Sequence, residues 1–300
     1  MYDLIVVKPK LNKWKVIACI CATIIIVSIA TIDGIFCATR VKAAKFAEQI
    51  VMQAEALENY QEQVLIMEET KRVEEIRSKI PTWENLQQVR HIYAAKEEKQ
   101  VFLTFDDGPS KSITPQILDL LKQEQIKATF FVLGKNVEKN PSIVKRAYEE
   151  GHYIANHGYS HEYGSIYESA DSLLAEYNRT EDVIRKAIEN ESYSSHLFRY
   201  PGGSSGGKYK EIKKEAKTIL EANQIYYLDW NALTKDAEGA KTKEQQLENL
   251  AGTVGEKSSV VVLMHDSSSK TVTYETLPDI IAFFRERGYQ FKNIYDLMQE

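Results

Sequence analysis

Beyond position 37 the 300-residue chain has no cysteine; Cys19, Cys21 and Cys37 all fall in or beside one apolar stretch near the N-terminus. Everything downstream is therefore without disulfides and without thiolate-ligated metal, a usage that suits an exported protein exposed to oxidation. Basic charge is short as well, with 38 Lys and Arg against 43 Asp and Glu and a formal net charge of -5. That deficit argues against nucleic acid as the main partner, because neutralising phosphates needs a basic surface. Glycine and proline are missing from residues 41–80, and no internal repeat or low-complexity tract is present. The 43% hydrophobic content is that of an ordinary folded protein, long enough for one catalytic domain with appendages.

The longest uncharged run is 16–32, and after Asp33 apolar character resumes through 34–38. About 20 residues cross the hydrocarbon core of a bilayer, so 16–38 reads as a transmembrane anchor. Lys8, Lys10, Lys13 and Lys15 precede it. The positive-inside tendency then makes 1–15 a cytoplasmic tail and sends the rest of the chain outside, although Arg40, Lys42 and Lys45 weaken the asymmetry. Two other readings stand beside this one: a signal peptide cleaved after Ala30, which leads to secretion, and a buried core helix.

Residues 39–80 are rich in Glu, Gln, Ala and Lys, all good helix formers, and read as a helical spacer ending at Pro81. Ile50, Leu57 and Val64 recur every seven residues, with Phe46, Tyr60 and Met67 at the companion position; Gln53 and Lys71 interrupt the seam. A coiled-coil homodimer and a single amphipathic helix both fit this pattern. Residues 81–98 read as a linker.

From 99 onward the texture alternates. Strands are expected at 100–105, 129–133, 153–156, 197–200, 225–230 and 259–264, each short and bounded by Gly, Pro, Asn or Asp. Helices are expected at 115–125, 141–150, 172–190, 209–223, 243–254 and 274–287. Alternation of this kind implies parallel βαβ units, here enough for an α/β fold, a distorted (β/α) barrel of about seven parallel strands. Reacting groups in such barrels gather at the C-terminal strand ends.

Polar residues sit at those ends. Thr104-Phe-Asp-Asp-Gly-Pro109 closes the first strand; neighbouring side chains on a regular strand point to opposite faces, so a Gly-Pro turn is needed to bring Asp106 and Asp107 together. An Asp-rich turn of purely structural role is the other reading. His157-Gly-Tyr-Ser-His161 follows the third strand, and two imidazoles four apart on a tight loop can meet one ion. With a carboxylate they make an open site for Zn²⁺ or a similar ion. His152, at a strand start, reads as structural. Arg199-Tyr-Pro-Gly-Gly-Ser204 ends the fourth strand, with a guanidinium able to reach a carboxylate and a glycine run whose N–H groups can approach a ligand; a plain loop is the alternative. Leu263-Met-His-Asp266 ends an apolar strand, placing His265 for acid–base work or for a strand-end hydrogen bond.

In this order TFDDGP, HGYSH, RYPGG, an acidic segment near Trp230 and LMHD resemble the NodB-homology polysaccharide deacetylases, carbohydrate esterase family 4, which includes peptidoglycan N-acetylglucosamine deacetylases. The resemblance spans 99–300. It implies Asp107, His157 and His161 as metal ligands, with Zn²⁺ as the ion and Co²⁺ or another divalent ion as alternatives. It implies Asp106 as general base, Arg199 as the residue that orients it and favours its ionised form, and His265 as general acid. The Gly202 N–H stands where the family supplies an oxyanion donor, and Leu263 where an apolar wall receives the acetyl methyl. Six residues after Trp230 comes Asp236, the partner expected for His265, with Asp229 as runner-up.

Three positions depart from the family pattern. Gly158 replaces a Ser or Thr between the histidines, Gly202 stands where many members carry an aromatic ring, and Ala237 replaces a Trp. The first loses a loop-stabilising hydroxyl; the other two are expected to open the groove walls. The implied activity is hydrolysis of N-acetyl groups on a cell-surface polysaccharide, N-acetylglucosamine of peptidoglycan first. An exopolysaccharide or chitin-like oligomer, an O-acetyl ester, and an inactive carbohydrate-binding scaffold are the alternatives.

Overall fold

The computed structural model describes residues 37–78 and 80–298. The tail 1–15 and nearly all of the expected anchor 16–38 lie outside the described residues. No described helix is long and apolar enough to cross a membrane. The expected spacer forms one 42-residue helix, Cys37–Ser78, along which Phe46, Leu57, Tyr60 and Met67 are exposed. All but its last two residues belong to one compact unit, and a second unit begins at Arg77.

That second unit is built on parallel strands: β1 (Gln100–Asp106), β2 (Thr129–Val132), β3 (Tyr153–Asn156), β4 (Leu197–Phe198), β5 (Tyr226–Tyr227), β6 (Ala232–Leu233), β7 (Ser259–His265) and β8 (Gln290–Lys292). Hydrogen bonds link them in the order β5-β4-β3-β2-β1-β7-β6, with β8 also on β1. No ladder joins β5 to β6 among the described residues, so the barrel stays open there. This is the distorted barrel expected. Its central strands are buried on both faces, as parallel strands between two apolar layers must be. Val101, Leu103 and Phe105 of β1 join Val260, Val262 and Met264 of β7 in the outer cluster under the helices. Phe102 and Val261 alternate to the inner face, where Leu86, Val89, Ile92, Ile294 and Leu297 fill the barrel. The stretch 81–98, expected as a linker, thus carries core residues. Trp83 stacks on Tyr226 at 3.9 Å, with Arg90 over both rings.

The expected strand 225–230 breaks after Tyr227. The carbonyls of Leu228 and Asp229, which a longer ladder would use, accept instead from Arg199 at 2.9 Å each. Asn231 then imitates a strand residue with its side chain, giving Nδ2–H to Ser259 O and accepting from the Val261 N–H at 2.9 and 2.8 Å.

Candidate active site and metal centre

Alternation along β1 places Thr104 and Asp106 on the inner face with Phe102; along β7 it does the same for Leu263 and His265. The β1–β7 register pairs Asp106 with His265. Asp107 lies one residue past the strand and takes φ +76°, an uncommon left-handed conformation for a residue with a Cβ. That reversal turns its carboxylate toward the mouth despite its odd position in the alternation. The Asn136 side chain holds the Asp107 carbonyl at 2.7 Å.

Asp107, His157 and His161 come together: one ligand atom from each lies within 4.8 Å of the others. The Nε2 atoms of His157 and His161 stand 3.7 and 3.4 Å from Asp107 Oδ1. His157 Nδ1 is 2.8 Å from the Arg199 carbonyl; a carbonyl can only accept, so Nδ1 carries the proton and Nε2 keeps a free lone pair. Burial lowers the His157 pKa to about 3, which keeps the ring neutral, as a ligand must be. Asp107 Oδ1 is buried and accepts no hydrogen bond among the described residues. An orphaned buried carboxylate oxygen facing the Nε2 atoms of two imidazoles fits a divalent cation.

Asp106 stands beside this cluster, with Oδ2 3.8 Å from His157 Nε2. Its Oδ1 accepts from Arg199 Nη1 at 2.8 Å. Arg199 is wholly buried over the Phe131 ring at 3.9 Å, and Nη1 also donates to Thr104 Oγ1 at 2.6 Å. Burial raises the Asp106 pKa above the usual carboxylate range, and Arg199 only partly offsets this. The expectation that Arg199 favours the ionised form holds in direction, but desolvation outweighs it.

On the other side, Asp236 Oδ1 lies 2.8 Å from His265 Nδ1, and Oδ2 accepts the His265 backbone N–H and the Thr273 hydroxyl at 2.9 Å each. Burial disfavours the imidazolium, but the Asp236 hydrogen bond and charge overcome it and push the His265 pKa up to about 9. Asp229 is engaged elsewhere: it accepts from the Ser204 N–H and hydroxyl at 3.0 and 2.6 Å. His152 is structural as expected, its Nδ1 accepting the Ala128 N–H at 3.0 Å. Leu263 is buried two residues before His265 on the same face.

The loop of Gly202 is tied down through its carbonyls. Tyr167 donates to Pro201 O, and Lys213 to Gly203 O, both at 2.7 Å. The Gly202 N–H has no acceptor among the described residues, which leaves it available to a ligand oxygen.

Two contributors escaped the sequence reading. Thr104 shares a face with Asp106 two residues on, so strand alternation was the available signal. Glu176, from the helix Ala170–Ile188, accepts the N–H groups of Tyr159 and Ser160 at 2.7 Å each. Nothing in the local sequence announces it. It anchors the histidine loop where the hydroxyl absent at Gly158 would have helped, and a Cβ at Gly158 would stand 2.7 Å from Ile166.

The chain is similar to known proteins in sequence and in fold. The family profile described as Polysaccharide deacetylase matches residues 93–219. A peptidoglycan-N-acetylglucosamine deacetylase of Bacillus cereus is 32% identical over 212 residues, 68% of this chain and 72% of that protein. A Streptococcus mutans CE4 esterase superposes with a TM-score of 0.62 at 34% identity, covering 71% of this chain and 91% of that one. The catalytic domain of a peptidoglycan N-acetylglucosamine deacetylase from Eubacterium rectale gives a TM-score of 0.58 at 30% identity, over 67% and 93% of the two chains. Identity at this level over most of both chains, on one barrel, shows that the protein belongs to the polysaccharide deacetylases, hydrolases that act on amide bonds.

Proposed function

We propose that this chain hydrolyses N-acetyl groups of a cell-surface glycan, with the N-acetylglucosamine residues of peptidoglycan as its substrate. The observation that carries the reading is a carboxylate outside the ligand set, Asp106, in register with His265 and 3.8 Å from His157. The substrate is taken from the Bacillus cereus and Eubacterium rectale relatives, whose names specify it.

In this reading Asp107, His157 and His161 hold a divalent cation, with Zn²⁺ first among those that suit two imidazoles and a carboxylate. When bound, such an ion supplies Lewis acidity and lowers the pKa of water from about 15.7 toward about 7. Asp106 takes the proton as water attacks the acetamide carbonyl; its raised pKa makes it a better proton acceptor than a surface carboxylate. The Gly202 N–H donates to the oxygen that gains charge. Leu263 packs against the acetyl methyl group. His265, cationic near neutral pH, gives its proton to the departing amine, so acetate leaves and a free amino sugar remains.

The apolar segment 16–38, interrupted by Asp33 alone among charged residues, and the lysines before it support a membrane anchor that holds the barrel outside the cell. Protease treatment of intact cells tests that topology: loss of the barrel with retention of the N-terminus is expected.

The activity is tested with the full chain, Zn²⁺-loaded, on peptidoglycan and on N-acetylglucosamine oligomers. Acetate release that disappears in Asp106→Asn is expected. No acetate from any N-acetylated glycan, from a folded and metal-loaded chain, removes the reading.

A further inference from the structure

The first turn of the loop after the metal ligands carries an exposed ring. Tyr163 opens the short helix Tyr163–Ile166, is 41% exposed, and lies 5.5 Å from the His161 ring. It faces Gly202 across the mouth. A Cβ built on Gly202 would come 2.8 Å from Tyr163 Oη and 3.4 Å from Cζ. The tip of Tyr163 therefore occupies the space into which a side chain at 202 would project. Gly202 also sits at φ +73°, a conformation that disfavours any side chain there.

The neighbouring glycine repeats the arrangement on its other side. A Cβ on Gly203 would meet the Trp230 ring at 3.4 Å. Two aromatic rings thus bracket a bare Gly-Gly backbone whose Gly202 N–H is free among the described residues. Tyr163 is held in place by the edge of Tyr167 at 5.8 Å, and Tyr167 in turn holds the Pro201 carbonyl. The opening expected at Gly202 is consequently filled from a different segment of the chain.

We propose that Tyr163 is a substrate-positioning residue: its ring forms the aromatic wall that position 202 lacks and packs against the pyranose ring whose acetamide enters the site. The C–H face of a sugar ring is apolar, and an aromatic ring is the largest rigid apolar surface a side chain offers, with a hydroxyl left to meet the sugar's rim. This deepens the glycan deacetylase reading and rests on it for the identity of the ligand.

Binding separates the two. Calorimetry with N-acetylglucosamine oligomers uses the full Zn²⁺-loaded chain carrying Asp106→Asn, so that no turnover intervenes. Adding Tyr163→Ala is expected to weaken binding about tenfold, and Tyr163→Phe to restore it to within about twofold. In the chain with Asp106 intact, Tyr163→Ala is expected to raise KM by a similar factor and to lower kcat by less than about threefold. Unchanged affinity in Tyr163→Ala overturns the proposal. So does loss of bound Zn²⁺ from that variant, which would make the ring a support for His161, and so does failure of Phe to rescue. A parent chain that binds the oligomer but releases no acetate removes the deacetylase reading and leaves the Tyr163 comparison standing.

Discussion

Asp106 and His265 are register partners across the β1–β7 ladder, so one end of the barrel presents a carboxylate and an imidazole whose pKa values are both raised. Burial is the main cause for Asp106, and the Asp236 pair for His265, where it wins against burial. Protonation states suited to a base and an acid thus arise from different surroundings on adjacent strands.

That relationship fixes a pH profile. The acid must be protonated, and its pKa is about 9, so kcat/KM is expected to fall as pH rises through about 9. Asp236→Asn removes the charge that sustains the imidazolium. The alkaline limb should then move down toward the ordinary His value of about 6.5, a shift read directly from pH–rate curves. Stability follows the same sign: a raised folded pKa means the His265–Asp236 contribution is complete below about pH 6.5 and is lost as pH climbs through about 9. Urea midpoints of wild type and Asp236→Asn should therefore converge at high pH. A gap that widens with pH contradicts the assignment.

Arg199 supports both the fold and the base. Its guanidinium is wholly buried and donates to Asp106, Thr104 and the Leu228 and Asp229 carbonyls just past β5. Arg199→Ala leaves Asp106 buried without its cation, and removing one partner of a buried pair costs roughly 3–5 kcal/mol. Urea unfolding should show a loss of that order. The Asp106 pKa should rise further, moving the acidic limb of the activity profile to higher pH. Arg199→Lys keeps a charge but cannot reproduce the planar fork, so it should recover only part of the stability.

Much of this was readable beforehand because the chemistry sits at strand ends. A β/α alternation places residues such as Asp106, His157 and His265 in one mouth whatever the helices between them contain. Asp236 was reached over Asp229 through the spacing from Trp230 that the resemblance supplies; the strand-end argument does not separate them, because the ladder stops at Tyr227 and both lie past strand ends. What stayed hidden depends on partners distant in sequence. The capture of the Leu228 and Asp229 carbonyls by Arg199 cut short a strand that propensity favoured. Leu86, Val89 and Ile92 lie in a stretch with linker-like texture, and only the barrel they fill reveals them as core. Tyr163 filling the space beside Gly202 is of the same kind.

Metal binding and proton transfer should separate by mutation. Asp107→Ala removes a proposed ligand, whereas Asp106→Asn leaves the ligand set whole. Zn²⁺ titration is expected to show weakened binding in the first and near wild-type binding in the second. Turnover in Asp106→Asn should nonetheless fall about 10²–10⁴-fold, the usual worth of a general base. Chelation should lower the melting temperature of wild type. An ion at about 100 times its Kd stabilises by about 2.7 kcal/mol, which for a domain of this size corresponds to roughly 5–10 °C. Asp107→Ala should show little of that response.

Glu176 offers a test remote from the reacting atoms. Its carboxylate receives the N–H groups of Tyr159 and Ser160, the two residues before His161, while Asn156 receives the Gly158 N–H at 2.9 Å. Three successive backbone donors are thereby spent on side chains instead of a regular ladder, and the loop takes the shape that presents both imidazoles. His161 itself sits at φ +58°, so the loop needs such support to hold it. Glu176→Ala orphans two N–H groups, at about 1–3 kcal/mol each if they stay dry. It should also weaken Zn²⁺ binding about 10–100-fold, as loss of an outer support for ligands commonly does. Glu176→Gln retains one carbonyl oxygen as acceptor and should fall between wild type and Ala in Zn²⁺ affinity. If the residue served only general stability, Zn²⁺ affinity measured well below the melting temperature would match wild type in both variants.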